Sequence, residues 1–239
     1  MFTFREVRGC IEVAFTDRHG GVSTGSYTSL NLALDSADEP EAVAENLRRV
    51  AQEFNPGGPV VDMEQVHGAE VVGIEAGATG QRPRCDALVT DQAGVALLAR
   101  SADCVPVLIA DPEAGIVAAA HSGRRGTVAG VVPAAVRRVR ELGGGDLVAW
   151  VGPHICGSCY EVSESVRDEV SAVIPQAWAE TSWGTSSVDL GAAVTEQLRA
   201  DGVEVIDATR CTLTDPDLYS HRRDGAAAGR LGALVRVVV

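Results

Sequence analysis

Six short apolar segments in the middle of the chain constrain its fold more than any other feature of the sequence. Each is four to six residues long, and turn residues such as Asp111-Pro112 and Gly115 separate them. A segment of this length between turn residues is typical of a β-strand and is too short for an ordinary helix. The pattern therefore predicts strands at residues 60–63, 70–74, 87–90, 95–99, 105–110 and 116–120.

Helical patterns and further strands flank this central group. One helix is predicted to begin after Asp38, because Pro40 suits the first turn of a helix and apolar residues recur behind it at helical spacing. Similar patterns predict helices at residues 126–142, 163–174 and 189–200, and strands at 11–15, 147–151, 203–206 and 233–239. No internal repeat or linker interrupts the chain, so we expect one mixed α/β domain over residues 1–239.

The charge of the chain limits its partners. The formal net charge is −13, and all 20 basic residues are arginine because lysine is absent. Such an acidic surface repels nucleic acid and anionic lipid, so neither is an expected partner. An arginine that binds a ligand must therefore act locally, as a clamp for an anion.

No segment of the sequence predicts export or insertion into a membrane. The N-terminus lacks a basic region followed by an apolar core, and charged residues interrupt the longest apolar stretch, residues 95–120. Six cysteines without a secretion signal favour reduced thiols over a disulfide scaffold. We therefore expect a cytoplasmic protein in which Cys10, Cys85 and Cys211 are buried reduced thiols.

Two histidines and one cysteine lie at the ends of predicted strands. His67 stands in EQVHG, Cys104 in RSADCVP and His121 in AAAHSGRRG. Strand ends at one edge of a sheet can converge on a single cleft, even when they are far apart in sequence. One thiolate and two imidazoles suit zinc, and three protein ligands leave the fourth tetrahedral position open, as in catalytic zinc sites.

The same residues leave a second interpretation open. Cys104 can serve as a nucleophile, with His67 or His121 as its base. This alternative needs the same three residues in one cleft and differs only in the metal. Cys156-x-x-Cys159 is a weaker candidate for a redox or zinc motif, because no second pair of this kind and no thioredoxin-like setting accompany it.

Five motifs of the chain occur in the order seen in one known family: QVHG, SADCVPVLIAD, HSGRRG, GPHICGSCYEV and YSHRRDGAAAGR. The segment TDRHGGVSTGSYTSLNLAL also resembles the N-terminal signature of that family. The chain is thus similar, from about residue 16 onwards, to the YfiH/YlmD/FAMIN group, long labelled polyphenol oxidase or laccase-domain proteins. The resemblance implies a four-layer α/β/β/α sandwich, similar to the catalytic domain of cytotoxic necrotizing factor.

The resemblance also implies a chemistry. In the family, the histidine of QVHG, the cysteine of ADC and the first histidine of the HAGWRG-type motif bind zinc, and these positions correspond to His67, Cys104 and His121. The family is credited with phosphorolysis of adenosine, inosine and methylthioadenosine, and with adenosine deamination. A purine nucleoside and phosphate are therefore the expected small-molecule partners. The chain has five histidines, too few for the four copper ions of a laccase.

The chain departs from the family pattern at two motifs. Ser122 and Arg124 replace the usual Ala and Trp of the HAGWRG-type motif, and Gly157-Ser158-Cys159 stands where Pro-Cys-Cys is common. The metal ligands are kept. The exchange of Trp for Arg removes a surface on which a base can stack, which bears on substrate preference.

Deamination would need a group that moves a proton to the leaving amine. Asp103, next to the cysteine ligand, and Glu161, in CYEV, are the candidates. The alternative role for Asp103 is a hydrogen bond that orients a histidine ligand. Among the other histidines, His221 is a candidate for the border of the pocket.

Phosphorolysis would need an anion site and contacts to the ribose. Arg125 is well placed for phosphate, because it lies in a Gly-flanked turn that opens a helix. Arg18 and Arg48 are further candidates. Ser23 and Asn31 are candidates for hydrogen bonds to ribose hydroxyls, although such residues in loops are usually turn formers.

Two other functions remain open at this stage. Some relatives are implicated in removing a wrong amino acid from a peptidoglycan precursor, an amidase reaction that zinc or the Cys104 thiolate could serve. The second open function is that of a non-catalytic scaffold, although the intact set of two histidines and one cysteine argues against it. The sequence gives no indication of the oligomeric state.

Overall fold

Two β-sheets packed face to face form the centre of the protein, whose computed structural model describes residues 1–75, 77, 80 and 82–238. In chain order, the helices and strands of this described part are β1 (Phe2–Arg8), β2 (Ile11–Thr16), α1 (Pro40–Phe54), β3 (Val60–Val61), β4 (Val71–Gly73), β5 (Ala87–Thr90), β6 (Ala96–Ser101), β7 (Val105–Asp111), β8 (Ile116–Ser122), α2 (Arg124–Ala129), α3 (Val131–Glu141), β9 (Val148–Val151), α4 (Glu164–Val173), β10 (Trp178–Glu180), β11 (Ser186–Val188), α5 (Leu190–Ala200), β12 (Glu204–Asp207), α6 (His221–Asp224) and β13 (Leu231–Val237).

The larger sheet has six strands in the order β12-β9-β7-β8-β5-β4. At its centre, β7 and β8 pair in antiparallel fashion along their whole length. The strands β9 and β12 are parallel neighbours, so the loops that follow them leave the sheet at the same edge. The smaller sheet has the order β1-β2-β13-β6-β3, with β13 antiparallel to both β2 and β6.

The larger sheet is covered on both faces, and every residue of β7 and β8 is buried as a result. On its inner face, Leu108 and Trp150 pack against Phe15 of the smaller sheet. On its outer face, alternate residues of the same strands, such as Val107, pack against α3 and α5. Because successive side chains of a strand point to opposite faces, the residues of this sheet contribute alternately to two separate hydrophobic cores.

The smaller sheet carries its helix on the opposite side of the molecule. Val50 and Phe54 of α1 pack against Leu98 and Leu234 on the outer face of that sheet. The layers therefore run helix, sheet, sheet, helix, which confirms the four-layer α/β/β/α fold implied by the sequence motifs.

The helices begin close to the predicted positions, with one correction. The prediction of a single helix over residues 126–142 is wrong, because the chain forms two helices there, α2 and α3, on either side of Gly130. This glycine adopts a left-handed conformation, with φ of 80°, which ends the first helix. None of the described helices combines the length and the apolar character needed to cross a membrane.

All six central strands form, and β5 has the predicted bounds. The strand predicted over residues 233–239 is β13, and Val239 lies outside the described residues. The strands β1, β10 and β11 and the four-residue helix α6 were not predicted. The strand β1 lies at a sheet edge and is only half-buried, so it lacks a clear apolar pattern, and the others are too short to have one.

Candidate metal centre and active site

The three predicted ligand residues meet at the ends of strands. His67 lies between β3 and β4, Cys104 directly precedes β7, and His121 lies within β8. The antiparallel pairing of Val105 with Ser122 brings Cys104 beside the end of β8. The cysteine sulfur and one ring nitrogen of each histidine all lie within 4.8 Å of one another. The structure therefore brings the predicted ligand set together.

A buried carboxylate, Asp86, holds both histidines. It accepts hydrogen bonds from the backbone N–H groups of Val66, His67 and Gly68, at 3.1, 3.0 and 2.6 Å. Its Oδ1 also lies 2.9 Å from Nδ1 of His121. Burial acts to raise the pKa of Asp86, but the hydrogen bonds from His121 and the backbone outweigh it and lower that pKa. The contact to Nδ1 leaves Nε2 as the nitrogen of His121 that can coordinate a metal.

Room for the ligand atoms depends on Gly123, the residue after β8. A Cβ atom at this position would lie 2.5 Å from Nδ1 of His67 and 2.9 Å from Sγ of Cys104. His121 is buried and Cys104 is half-buried, whereas His67 is exposed. The cluster therefore opens to solvent beside His67. A donor set of two imidazoles and one thiolate with one open side fits a zinc ion.

Cys104 and His121 form an ion pair. Burial acts to raise the pKa of the Cys104 thiol, but the positive charge of His121 and the hydrogen bonds from both histidines lower it to about 6. Burial acts to lower the pKa of His121, but the Cys104 thiolate and Asp86 raise it to about 9. Near pH 7 the metal-free pair is therefore a thiolate facing an imidazolium, and a thiolate is the form of cysteine that can attack a substrate or bind a metal.

A cavity of about 450 Å³ opens at this cluster. Its wall contains several arginines, which is notable in a chain of net charge −13. Arg100 is buried and paired with Asp62, so it serves the structure of the wall. Besides the three ligand residues, the lining consists of Asp35, Met63, Glu64, Gln65, Arg82, Arg100, Ser101, Ala102, His221 and Arg230.

Asp103 is engaged with groups other than the histidines. Its Oδ1 accepts a hydrogen bond of 2.6 Å from the Thr212 hydroxyl, and its Oδ2 accepts one of 2.6 Å from the backbone N–H of Arg222. The residue adopts a φ of 87°, in the left-handed region, directly before Cys104. Asp103 thus fixes the backbone of the cysteine ligand, whereas Asp86 orients His121.

The three polar candidates of the N-terminal loop are bound within the loop itself. Arg18 donates to the carbonyl oxygens of Thr28 and Ser26, at 2.7 and 3.2 Å. Ser23 and Asn31 are buried, and both donate to Oδ2 of Asp38. All three lie outside the cavity lining. The structure gives these side chains a role in shaping the loop. Phosphate binding by Arg18 and ribose binding by Ser23 and Asn31 stay predictions.

The remaining candidates also lie outside the cavity lining. Arg48 is paired with Glu45 on the exposed face of α1. Arg125 is exposed on α2, which begins at the preceding residue. Glu161 is exposed, and its carboxylate accepts a hydrogen bond of 3.0 Å from Nε1 of Trp183.

The sequence analysis gave no role to three residues at the site, Asp86, Arg82 and Arg230, and named His221 only as a candidate for the border of the pocket. Asp86 resembles any aspartate before a strand, since its role depends on neighbours far away in sequence. Arg82 stands in a loop without a motif. Arg230 and His221 belong to the motif YSHRRDGAAAGR, so the motif itself was the signal for both.

The fold and the cluster define a class of four-layer α/β/β/α proteins that gather two histidines and one cysteine beside an open cavity. The sequence profile of the family described as multi-copper polyphenol oxidoreductase laccase matches residues 12–238. The chain belongs to this family, which confirms the resemblance carried by its motifs.

Proteins similar to this chain share its architecture over almost the whole length. The crystal structure of YlmD from Geobacillus stearothermophilus has a TM-score of 0.89 and 34% identity, covering 100% of this chain and 99% of that one. The crystal structure of a Neisseria meningitidis protein has a TM-score of 0.85 and 35% identity, covering 97% of this chain and 96% of that one. A Streptomyces coelicolor relative named purine nucleoside phosphorylase is 49% identical over 92% of this chain and 93% of its own.

Replacing Asp86 with Asn is expected to weaken both metal binding and the fold. Asn keeps the size of the side chain but loses the charge facing His121, and its amide nitrogen cannot accept from the backbone N–H groups. We expect zinc affinity to fall about 10- to 100-fold, and the free energy of unfolding to fall by about 3 kcal/mol. Chelator competition and urea denaturation measure the two effects. The exposed Asp91→Asn variant is the control, and an Asp86→Asn variant with the affinity of this control would contradict the role of Asp86.

The alkylation of Cys104 in chelator-treated protein is expected to follow its lowered pKa. The rate should be nearly constant above pH 7 and should fall as the pH drops through about 6, because only the thiolate reacts. In His121→Ala the midpoint should move up towards that of an ordinary thiol. Peptide mass spectrometry reports each cysteine separately, and the buried Cys85, whose pKa is raised to about 12 mainly by burial, should stay unlabelled. A wild-type midpoint above pH 8 would rule out the ion pair.

Proposed function

We propose that this protein is a zinc-dependent purine nucleoside phosphorylase, acting on adenosine, inosine and methylthioadenosine, that also deaminates adenosine. The observation that carries the proposal is the cluster of His67, Cys104 and His121, which opens into a cavity with cationic side chains. A volume of about 450 Å³ is in the range of small-molecule sites. The name purine nucleoside phosphorylase, borne by relatives that match more than nine-tenths of this chain, supports the reaction class.

His67, Cys104 and His121 would hold the zinc ion. When bound, such an ion acts as a Lewis acid on a substrate oxygen or lowers the pKa of a water molecule at its open position. Cys104 is suited to this role because a thiol must lose its proton to bind a metal, and the neighbouring imidazolium favours the loss. Asp86 keeps the His121 ring in the orientation that metal binding requires.

The phosphate would be held by the cations of the cavity wall. Arg230 donates from one terminal nitrogen to the carbonyl oxygens of Ala228 and Gly229. Among the residues that the structure describes, no other acceptor binds its guanidinium, so its remaining N–H groups can bind an anion. Arg82 lies at the same cavity, 3.4 Å from the Asp62 carboxylate. Two arginines offer the forked donors that match phosphate oxygens.

The nucleoside would lie between these cations and the metal ligands. Asp35 and Glu64 line the cavity and can accept hydrogen bonds from ribose hydroxyls. In phosphorolysis, a phosphate oxygen bonds to C1′ of the ribose while the C1′–N9 bond breaks, and the departing purine takes up a proton. We assign this proton to His221, because its imidazole lines the cavity and can donate a proton to a departing base.

Deamination would use the same pocket with water in place of phosphate. Water adds at C6 of adenine and ammonia leaves, so a side chain must move a proton to the leaving amine. Both carboxylate oxygens of Asp103 already accept hydrogen bonds, so we assign it the positioning of Cys104. We therefore assign this proton also to His221, with Glu161 as the alternative carrier.

An amidase that edits peptidoglycan precursors is the second candidate. The observation that favours it is the ion pair of Cys104 and His121, since a thiolate beside an imidazolium is the usual form of a cysteine nucleophile. In this alternative Cys104 attacks the amide carbon, the C–N bond breaks and the amine leaves with a proton from His121. Water then hydrolyses the thioester and frees the Cys104 thiolate. The two candidates share the site and differ in the substrate and in the need for zinc.

Removing a ligand residue is expected to abolish phosphorolysis and to remove one zinc ion per chain. In His67→Ala, Cys104→Ala and His121→Ala, activity should fall more than roughly 100-fold, because losses of that size already follow changes around a metal's ligands. The products from adenosine and phosphate are separated by chromatography, and zinc is counted by elemental analysis. Adenine with ribose-1-phosphate reports phosphorolysis, and inosine reports deamination.

The matched control is His19→Ala, because His19 is exposed and paired with Asp217. It should keep the wild-type zinc content and activity. Release of an amino acid from a nucleotide-linked muropeptide precursor, without any adenine from adenosine, would replace the phosphorylase by the amidase. Equal zinc content in wild type and in all three ligand variants would refute the metal assignment.

Replacing Arg230 with Ala is expected to raise the KM for phosphate about 10- to 100-fold, because a charge-assisted hydrogen bond contributes about 1.5–3 kcal/mol. The KM for the nucleoside should change much less. Initial rates at varied phosphate give the two constants. Arg8→Ala serves as the control, because Arg8 is an exposed partner of Glu204 on the surface. A variant that changes kcat but not the KM for phosphate would remove Arg230 from the anion site.

A further inference from the structure

Three cysteines outside the candidate active site converge on one point. The sulfur atoms of Cys156, Cys159 and Cys211 all lie within 4.8 Å of one another. All three are free thiols; Cys159 is buried and the other two are half-buried. The sequence showed only the pair Cys156-x-x-Cys159, and the structure adds the third sulfur from a distant part of the chain.

The fold itself brings Cys211 to the pair. The strands β9 and β12 are parallel neighbours, and the cysteines lie on the loops that follow them at the same sheet edge. The pairing continues past the strands, because His154 and Cys211 form a parallel bridge. His154 N–H donates to the Arg210 carbonyl at 3.1 Å, and Thr212 N–H donates to the His154 carbonyl at 3.0 Å. The distance between the loops is therefore fixed by backbone hydrogen bonds.

The Cys156-x-x-Cys159 segment is a closed turn. The N–H groups of Cys159 and Tyr160 both donate to the Cys156 carbonyl at 3.0 Å. Gly157 packs on Asp189, the N-cap of α5, so closely that a Cβ would lie 2.6 Å from the carboxylate Oδ2. The turn is therefore held against α5, and its two cysteines keep their positions relative to each other.

The three sulfurs lie close enough to share one metal ion. Because a Zn–S bond is about 2.3 Å long, two thiolates on one tetrahedral ion lie roughly 3.8 Å apart. Sulfurs within 4.8 Å of one another therefore need only small side-chain movements to share an ion.

We propose that Cys156, Cys159 and Cys211 form a second metal site, which binds a thiophilic d10 cation, Zn²⁺ or Cu⁺, and ties the β9 loop to the β12 loop. Three thiolates form the soft donor set that these two ions prefer. A disulfide would use two of the sulfurs and leave the third without a role, whereas a metal ion uses all three. Cys156 also lines a second cavity of about 290 Å³, from which a fourth ligand such as water can reach the ion.

The site would stabilise one side of the candidate active site. Tyr160 follows Cys159 directly, and the guanidinium of Arg222 lies 4.9 Å from the centre of its ring. The backbone N–H of Arg222 in turn holds Asp103, next to Cys104. An ion at the three cysteines would therefore restrain the loop from which this chain of contacts begins.

The test uses Cd²⁺ as a probe on the full-length Cys104→Ser variant, kept reduced without added thiols. Cd²⁺ bound to thiolates has an ultraviolet charge-transfer band whose intensity follows the number of sulfurs. Because this variant lacks the one thiolate of the first site, the three-cysteine cluster is the one of the two clusters that can still give the band, and Cys10 and Cys85 belong to neither cluster. We expect a band about three times as intense as that of the Cys156→Ser/Cys159→Ser/Cys211→Ser variant, which keeps Cys104 but none of the three-cysteine cluster. This result does not depend on any catalytic activity.

A matched control is Cys10→Ser in the same Cys104→Ser background, because Cys10 belongs to neither cluster and its thiol donates to the Pro112 carbonyl. This control should keep the full band. Cys156→Ser, at a half-buried position, should lose at least a third of the band and is the variant to use if Cys211→Ser does not fold.

Titrations of the Cys104→Ser protein with Zn²⁺ alone and with Cu⁺ alone, each against a coloured chelator, rank the two ions. One equivalent of either ion, lost in Cys156→Ser, supports the proposal. The proposal is overturned if the Cys104→Ser protein shows no thiolate band, or if Cys156, Cys159 and Cys211 react with a thiol reagent at the same rate with and without metal. A disulfide between two of them in the protein isolated under reducing conditions would also overturn it.

Discussion

The hydrogen bonds of one buried carboxylate determine the geometry of the whole candidate site. Asp86 is fully buried, and hydrogen bonds from three backbone N–H groups and the His121 ring offset the cost of burying its charge. The three N–H groups come from consecutive residues, and they enclose the carboxylate as backbone nests enclose an anion. Since His67 is the middle residue and has a φ of 59°, the same contacts hold it in its left-handed conformation. Two candidate ligands from different elements are thus positioned by one residue outside the candidate ligand set.

Cys104, the candidate cysteine ligand, is held in the same indirect way. Asp103 has a φ of 87°, which an L-residue adopts only when its surroundings hold it there. The Thr212 hydroxyl and the Arg222 N–H provide that hold, so loops distant in sequence keep Cys104 in place. Gly123 completes the arrangement, because any larger residue would occupy the space of the ligand atoms. The ligands are therefore preorganised by polar contacts that each satisfy a buried group, which is the condition for a site of fixed geometry.

The sequence predicted what depends on local pattern and on residue type, and little that depends on neighbours in space. The central strands are local apolar patterns, and His67, Cys104 and His121 have side chains whose chemistry is already that of metal ligands. The break at Gly130 was missed because a glycine inside a helical pattern is often tolerated, and only its φ shows that it ends a helix. The contacts of Asp86, and the position of Cys211 beside the Cys156-x-x-Cys159 pair, were not predicted because each depends on residues that are far away in sequence. For Ser23 and Asn31, the residue type suggested ribose binding, and the structure adds hydrogen bonds to Asp38 within their own loop.

The two clusters occupy adjoining loops of one sheet, and this arrangement links the stability of one to the geometry of the other. The sheet order places β9 next to β7, and Cys104 directly precedes β7 while Cys156 and Cys159 follow β9. The N–H of Ile155 donates to the carbonyl of Asp103 at 3.1 Å, so the backbones of the two loops are joined directly. An ion at the three cysteines would reduce the freedom of the β9 loop, and hence the freedom of the residues that hold Cys104, without touching the substrate. This effect of the three-cysteine cluster on Cys104 would pass through packed, hydrogen-bonded neighbours and would need no conformational change at the candidate active site.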